Sequence, residues 1–236
     1  MKFIELLWDS EFFGYKVAKI ETSKVNEFQL AGLLKTLRNK NFELVYVFLK
    51  EKINNKNLID FNIELIDEKV TYFKRVNEAS YYEKNIIEYG LEYPTEQMLD
   101  LAVQSGKYSR FNYDKRIAKK KFEELYKKWI INSVNLSIAK NTLVYKVNDS
   151  ILGMLTLSEK NGKGDIGIVA VDEEYRGKGI GKTLLNAAEK WTYDNNYTKI
   201  QVVTQGFNIP ACKLYENRGF LKDKTEFVYH CWLKNK

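Results

Sequence analysis

A glycine-rich loop carries the residues of this chain that are best suited to bind a phosphorylated ligand. The loop reads Arg-Gly-Lys-Gly-Ile-Gly-Lys over residues 176–182 and follows the apolar run Ile166–Val171, which predicts a buried strand. Apolar residues recur at helical spacing after the loop, which predicts a helix there. The first amides of a helix have no partners inside it and favour anions, and glycines let the backbone approach a ligand closely. The sequence therefore predicts a pyrophosphate site.

Two common phosphate-binding motifs do not fit this loop. A P-loop needs a glycine where this chain has Arg176, although Gly181-Lys182-Thr183 matches the end of that motif. The dinucleotide pattern G-x-G-x-x-G needs a third glycine where Lys182 stands. The pattern that remains is R-x-x-G-x-G after a Val-Ala-Val strand. By itself it is as typical of an ordinary strand-to-helix turn, with glycines for tight packing, as of a binding loop.

A second motif lies one strand and one helix further along the chain. Residues 197–204 predict another strand, and N-x-x-A-x-x-x-Y follows from Asn208 to Tyr215, with Gly-Phe after it. Asn208 is suited to cap a helix, and Gly219 is suited to end that helix in the left-handed conformation. Tyr215 is then a helical residue, and taken alone it could equally be an aromatic packing residue.

Together the two motifs resemble the GCN5-related N-acetyltransferases (GNAT), over roughly residues 137–232. The resemblance implies an α/β GNAT fold, which is a mixed, mostly antiparallel twisted sheet flanked by helices. It implies acetyl-CoA or another short acyl-CoA as co-substrate and no metal, with Asn208 as a cofactor contact and Tyr215 as the catalytic general acid beside the thioester sulfur. The other cofactor-binding residues that it implies are Val169, Val171, Arg176, Gly177, Lys178, Gly179, Ile180, Gly181 and Lys182.

Two further segments resemble bacterial dTDP-fucosamine acetyltransferases and their relatives, which acylate a nucleotide-linked amino-deoxysugar. Trp-Asp-Ser-Glu-Phe-Phe-Gly occupies residues 8–14, and Tyr-Ser-Arg-Phe at 108–111 precedes a Leu-Tyr-x-x-Trp helix. This resemblance covers the whole length and implies a dTDP-sugar acceptor in O-antigen or surface-polysaccharide biosynthesis. The acceptor-binding residues that it implies are Phe12, Phe13, Tyr108, Arg110 and Phe111. The two adjacent phenylalanines are also typical of a core, and Arg110 of a loop brace.

The elements that must position these residues divide into two predicted domains. Residues 1–90 predict a smaller N-terminal α/β lobe on the acceptor side, with a turn-like segment at residues 8–14, a helix over Val25–Leu37 and a buried strand at Leu44–Leu49. Residues 91–236 predict the acyl-CoA-binding GNAT domain. A chain of 236 residues is long enough to bury a sizeable core.

Composition limits the partners and the compartment. The net charge of +7 favours anionic partners without separating phosphorylated small molecules from nucleic acid. Two cysteines without disulfide or metal spacing indicate a reducing interior. An N-terminus with acidic residues and no apolar h-region, and no apolar run of membrane-spanning length, favour a cytoplasmic protein. With the resemblance, we expect a nucleotide-sugar substrate, no nucleic acid and no membrane, with a homodimer left open.

The sequence leaves the proton acceptor and the identity of the amine open. His230 is the one histidine, and its predicted C-terminal strand indicates a packed side chain rather than a catalytic base. A protein N-terminus or an aminoglycoside is an alternative acceptor to the nucleotide sugar. A catalytically silent acyl-CoA-binding module is the alternative outside enzymes, although the presence of both Asn208 and Tyr215 argues against it.

Overall fold

The chain forms two compact units, and it passes from the first to the second after residue 70 and back after residue 224. The first unit comprises Met1–Val70 and Thr225–Lys236, and the second comprises Thr71–Lys224. The computed structural model describes residues 1–54, 56–77 and 82–234. The functional division at residue 90, with an acceptor-side lobe before it, stays a prediction.

Ten strands and seven helices form from the described residues. In chain order they are β1 (Phe3–Glu5), α1 (Leu7–Phe13), β2 (Lys16–Thr22), α2 (Glu27–Asn39), β3 (Phe42–Leu49), β4 (Ile63–Arg75), β5 (Ile86–Glu88), α3 (Glu96–Ser105), α4 (Arg110–Tyr113), α5 (Lys119–Val134), β6 (Asn141–Val147), β7 (Ser150–Lys160), β8 (Lys163–Val171), α6 (Ile180–Asp194), β9 (Lys199–Gln205), α7 (Ile209–Asn217) and β10 (Leu221–Trp232). Short 3₁₀ turns lie at Lys56–Phe61, Gly106–Tyr108 and Glu173–Tyr175.

The strand order is β1-β2-β3-β10-β4 in the first unit and β4-β9-β8-β7-β6-β5 in the second. Strands β2 and β3 pair in parallel, as do β8 and β9, whereas the other pairs of described register are antiparallel. Helices join most of the strands, so the mixed, mostly antiparallel α/β fold class that the sequence predicts is confirmed.

Helix α2 covers the core of the first unit. Its buried residues Leu30, Leu34 and Leu37 recur at helical spacing and pack with apolar side chains of β2 and β3. The carbonyl oxygen of the Asn26 side chain accepts a hydrogen bond from the Gln29 amide at 3.1 Å, which caps the helix. The helix predicted over Val25–Leu37 is confirmed, with its ends shifted by about two residues.

The segment predicted to be turn-like at residues 8–14 is instead the helix α1, and this prediction was wrong. The rings of Trp8 and Phe12, one helical turn apart, stack with centroids 5.2 Å apart. Gly14 ends the helix in the left-handed conformation, at φ 80°. The polar residues that suggest a turn have a helical use, since the Ser10 hydroxyl donates to the Leu6 carbonyl at 2.8 Å.

Among the described residues, no helix is both long and apolar enough to cross a membrane. The same part of the chain contains no group of three or more His, Cys, Asp or Glu side chains placed to hold a metal ion.

Gly106 fixes the approach of the turn Gly106–Tyr108 to helix α5. A Cβ on this residue would lie 2.6 Å from Cζ of Tyr126 and 2.7 Å from Cε2 of Phe122, closer than real side chains approach each other. The two rings belong to the buried side of α5, so they cannot move away without opening the core. A glycine is therefore required where the chain enters this turn.

We expect Gly106→Ala to destabilise the protein by about 1–3 kcal/mol, the usual cost of overpacking a core. Thermal unfolding measures the effect as a lower Tm. The matched control is Gly90→Ala in the same unit, since a Cβ at Gly90 would meet no heavy atom of the described residues within 4 Å. Equal melting temperatures for the two variants would contradict the close approach at Gly106.

Candidate active site

A cavity of about 710 Å³ lies within the second unit, a volume typical of small-molecule sites. One end is formed by the glycine-rich loop, the start of α6 and helix α7. The rest of the lining comes from the turn Gly106–Tyr108, helix α5 and strands β7, β8 and β9. Most of the predicted cofactor-binding and catalytic residues line it: Val169, Val171, Arg176, Gly177, Gly179, Ile180, Gly181, Lys182, Asn208 and Tyr215.

The cavity lies where strands β8 and β9 separate. The paired residues of the two strands are Gly164–Ile166 on β8 and Ile200–Val202 on β9. Beyond them, Gly167–Val171 of β8 and Val203–Gln205 of β9 line the cavity instead. The ends of two neighbouring parallel strands thus form opposite walls of one cleft.

A β-bulge in β8 accompanies this separation. Leu157 of β7 pairs with Ile166 and Leu155 pairs with Val169, so that Gly167 and Ile168 together face the single residue Thr156. The Ile168 amide donates a hydrogen bond to the Thr156 hydroxyl oxygen at 2.9 Å. A Cβ on Gly167 would lie 2.7 Å from that oxygen, so the bulge requires a glycine there.

The backbone beyond the bulge directs two amides into the cavity. The Asp172 amide donates to the Leu152 carbonyl of β7 at 3.0 Å. Successive backbone groups of a strand point to opposite sides, so the N–H groups of Val171 and Val169 point away from β7, towards the side where β9 has separated. The arrangement can donate hydrogen bonds to a ligand that lies between the strands.

The glycine-rich loop supplies a second set of amides. Gly177 and Gly179 have φ angles of 78° and 85°, which residues other than glycine rarely adopt. Gly179 directly precedes the first residue of α6. The Thr183 amide donates to the Gly179 carbonyl at 3.1 Å, which is the first bond of the helical ladder. The amides of residues 180–182 therefore precede the ladder and face an anion site at the helix start.

The cationic side chains of this loop serve partly as braces. Arg176 Nε donates to the Val171 carbonyl at 3.0 Å, and its Nη2 donates to Oε1 of Gln104 at 3.4 Å. The guanidinium thus fastens the loop to the end of β8. Lys178 lies outside the cavity lining, with Nζ 4.4 Å from the centroid of the Tyr175 ring. Contacts of these two side chains with a cofactor stay predictions.

Tyr215 lies on α7, and the predicted ends of that helix are confirmed. The Asn208 side chain accepts a hydrogen bond from the Ala211 amide at 3.3 Å, and Gly219 after the helix has a φ of 77°. Tyr215 is 4% exposed, and its ring centroid lies 5.9 Å from that of Phe220. Helix α7 therefore presents a buried hydroxyl-bearing ring to the cavity.

The surroundings of Tyr215 keep its hydroxyl protonated. Burial raises the pKa of Tyr215 above its ordinary value, because the phenolate would lose its hydration. The electrostatic interaction with the Cys212 side chain raises the pKa further, as a smaller cause. The arrangement can therefore donate a proton or a hydrogen bond at neutral pH.

The far end of the cavity holds a carboxylate that the sequence analysis missed. Asp165, on β8, accepts hydrogen bonds from Nε2 of Gln201 at 2.7 Å and from the Ser158 hydroxyl at 3.5 Å. A carboxylate here can bind an ammonium or accept a proton from an amine. One sequence signal could have found it, because Asp165 is a lone acidic residue directly before the apolar run Ile166–Val171.

Aromatic rings flank that carboxylate end. Tyr108, Tyr126 and Trp129 line the cavity, and the last two are in edge contact with centroids 4.9 Å apart. Hydroxyls of Ser133 and Thr156 line the same end. Rings and hydroxyls of this kind suit an acceptor that has both apolar faces and hydroxyl groups.

The predicted acceptor-binding residues are divided between the two units. Tyr108 lines the cavity of the second unit, whereas Arg110 and Phe111 are not in its lining. The Arg110 guanidinium lies 4.3 Å from the centroid of the buried Phe111 ring. Phe12 and Phe13 lie on α1 of the first unit, with Phe13 buried. Contacts of all five residues with an acceptor stay predictions.

His230 lies in β10, within the first unit, as a packed side chain. It is fully buried, and its ring centroid lies 4.9 Å from that of Tyr46 on β3. This agrees with the packed position expected from the sequence.

Residues 108–220 match the family model described as "Acetyltransferase (GNAT) family". The matched segment contains the glycine-rich loop, the separated strands and Tyr215, so the match coincides with the walls of the cavity.

Individual proteins are similar over nearly the whole chain. The spore coat polysaccharide biosynthesis protein SpsD of Bacillus subtilis (strain 168) is 26% identical over 96% of this chain and 81% of its own length. A functionally unknown conserved protein from Staphylococcus epidermidis superposes with a TM-score of 0.63 at 16% identity, over 96% of this chain and 88% of that chain.

A GCN5-related N-acetyltransferase from Sphaerobacter thermophilus superposes with a TM-score of 0.55 at 14% identity, over 99% of this chain and 76% of its own. At these identities the two solved structures show the shared fold, while the family match spans most of the residues that line the cavity. Over residues 108–220 the chain therefore matches the GNAT acetyltransferase family, whose members are CoA-dependent acyltransferases.

Proposed function

We propose that this chain transfers an acetyl or other short acyl group from acyl-CoA to the amine of a nucleotide-linked amino-deoxysugar, with a dTDP-sugar as the favoured acceptor. The observation that carries the acceptor assignment is the similarity to SpsD, which extends over 96% of this chain and so includes residues outside 108–220. Residues beyond the family domain are shared with a protein named for polysaccharide biosynthesis, which supports a role in surface-polysaccharide synthesis here.

The loop end of the cavity is the proposed seat of the acyl-CoA. The amides of residues 180–182 and the glycines at 177 and 179 suit the pyrophosphate, and the separated strands suit the extended pantetheine arm. The Asn208 side chain lines the same wall. These groups bind the donor by hydrogen bonds from fixed backbone positions.

Two groups of the protein take part in the proposed transfer. As the amine nitrogen forms its bond to the thioester carbon, negative charge develops on the carbonyl oxygen. The Val171 amide donates a hydrogen bond to that oxygen, and one such donor typically raises the rate by about 10²–10³-fold. The carbon–sulfur bond then breaks, and the Tyr215 hydroxyl donates to the departing thiolate. The proton that the amine nitrogen loses passes to solvent, because Asp165 lies six residues before Val171 on β8, roughly 20 Å along an extended strand.

The far end of the cavity is the proposed seat of the amino sugar. The rings of Tyr126 and Trp129 suit the apolar face of a sugar, and the hydroxyls of Ser133 and Ser158 suit its hydroxyl groups. Asp165, which accepts from the Ser158 hydroxyl at 3.5 Å, adds hydrogen-bond acceptors for the sugar's hydroxyl groups. The diphosphate and the base would be bound by the residues that the sequence resemblance implies, Arg110 among them.

Turnover of matched amines tests the acceptor assignment. We expect dTDP-linked amino sugars to be acetylated with a higher kcat/KM than UDP-linked ones, and both to exceed the free amino sugar. The physical reason is that the nucleotide adds binding contacts that a free sugar cannot make. Equal rates with the free sugar, or faster acetylation of a peptide N-terminus or an aminoglycoside, would overturn the nucleotide-sugar assignment while leaving the acyltransferase family unaffected.

Replacing Gly179 by valine tests the cofactor loop. A left-handed φ costs an ordinary residue about 1–2 kcal/mol, and the new side chain would project into the space proposed for the pyrophosphate. We expect the acetyl-CoA KM to rise about tenfold or more. Gly162→Val is the matched control, because Gly162 has a φ of 72° in the turn after β7, outside the cavity lining. A similar KM change in both variants would contradict the loop assignment.

Removal of the Tyr215 hydroxyl tests the proton donor. Tyr215→Phe keeps the ring in its packing site, so we expect kcat to fall by about 10²-fold with little change in the acetyl-CoA KM. Tyr193→Phe, at an exposed tyrosine of α6, is the control and should match the parent enzyme. A kcat for Tyr215→Phe within about twofold of the parent would show that the hydroxyl has no such role.

The pH dependence follows from the raised pKa of Tyr215. Because the folded protein favours the neutral hydroxyl, the donor stays protonated through the ordinary tyrosine pKa of about 10. We expect kcat to rise with pH as amines deprotonate and to show no fall due to Tyr215 below about pH 10. A falling limb below that pH that disappears in Tyr215→Phe would contradict the buried, protonated hydroxyl.

A further inference from the structure

The ring of Tyr215 packs against a residue from a distant part of the chain. Tyr72, on strand β4, has its ring centroid 5.9 Å from that of Tyr215, and both residues belong to the second unit. Tyr72 is 3% exposed, so its ring is a fixed wall rather than a mobile surface group. No sequence motif connects the two tyrosines.

The hydroxyl of Tyr72 holds the helix next to Tyr215. It donates to Oε1 of Glu216 at 2.7 Å, directly after Tyr215 in the chain. Cys212, three residues before Tyr215, also interacts with this hydroxyl and contributes to its raised pKa. Burial, followed by the hydrogen bond to Glu216 and the interaction with Cys212, raises the pKa of Tyr72, so the hydroxyl keeps its proton and its donor role.

Helix α7 needs such an anchor. It has nine residues, and its N-terminal cap at Asn208 fixes only the first turn, whereas Tyr215 lies in the last. Rotation or translation of that turn would move the Tyr215 hydroxyl relative to the cavity. Reactions of positioned groups are sensitive to such movement, since a misplacement of about 1 Å can cost about 10²-fold in rate.

We propose that Tyr72 is a positioning residue for the proton donor, acting through its ring contact with Tyr215 and its hydrogen bond to Glu216 on helix α7. The proposal rests on the general-acid role of Tyr215 in the proposed function. Tyr72 itself is not in the cavity lining, so it acts on the reaction only through α7.

A double-mutant cycle tests this role. Tyr72→Phe keeps the ring and removes the hydroxyl, and we expect kcat to fall about tenfold with the acetyl-CoA KM within about twofold of the parent. In a Tyr215→Phe background the same change should have no further effect on kcat, because there is no hydroxyl left to position. Glu216→Ala, at an exposed residue, should lower kcat in the same way without opening the core. Asn217→Ala, at the exposed last residue of α7, should leave kcat unchanged.

Each other outcome overturns the proposal in a recognisable way. If Tyr72→Phe lowers kcat equally with and without the Tyr215 hydroxyl, Tyr72 acts on something other than the donor. If it lowers only the Tm, its role is structural. If Tyr215→Phe itself retains full kcat, the donor assignment of the proposed function fails, and the positioning role fails with it. The first two results leave the proposed function intact, so the two failures are distinguishable.

Discussion

The separation of β8 from β9 after Ile166 is the constraint on which the cavity depends. If β8 continued in register with β9, the amides of Val169 and Val171 would be used by the sheet and no cleft would exist. The bulge at Gly167 and Ile168 gives β8 an extra residue against β7, and bulges bend and twist the strand that carries them. Amides that the sheet does not use can instead donate to a ligand between the strands.

The loop that follows uses backbone geometry more than formal charge. A net charge of +7 is spread over the chain, and exposed charges are screened by salt within about 10 Å. The amides at the start of α6 are neutral donors fixed in direction, and Arg176 fastens the loop to the Val171 carbonyl. A mobile lysine could attract an anion but could not define its position. The anion site therefore depends on the two left-handed glycines, whose conformation other residues adopt only with strain.

The sequence was informative wherever a residue's role is decided by its neighbours in the chain. The cap at Asn208, the left-handed Gly219 and the loop before α6 follow from local backbone chemistry, and all three are present. Asp165 was missed because its meaning depends on Gln201, which only the pairing of β8 with β9 brings opposite it.

The turn predicted at residues 8–14 failed for a related reason. Asp9, Ser10 and Gly14 are ordinary turn residues, and the helix they form is stabilised by ring stacking between Trp8 and Phe12 and by the bond from the Ser10 hydroxyl to Leu6. The polar residues are visible in the composition, whereas the stacking of the Trp8 and Phe12 rings exists only once the helix has formed. The contact between Tyr72 and Tyr215 cannot be read from the sequence either, because β4 and α7 are far apart in the chain and meet only in the folded protein.

Burial of Tyr215 also limits how the proposed proton donation can proceed. An ordinary tyrosine has a pKa of about 10 and a thiol about 8.5, so full transfer from the hydroxyl to the thiolate is uphill even before burial raises the pKa of Tyr215 further. A separate step that leaves a buried phenolate would add the cost of desolvating that charge. The lower-energy course is a hydrogen bond to sulfur that strengthens as the carbon–sulfur bond breaks. The proton then moves only as the amine gives up its own, so that no isolated phenolate forms. Such a course requires the hydroxyl to be in place before charge develops, which explains why a buried ring held at several points suits this role better than a mobile surface acid.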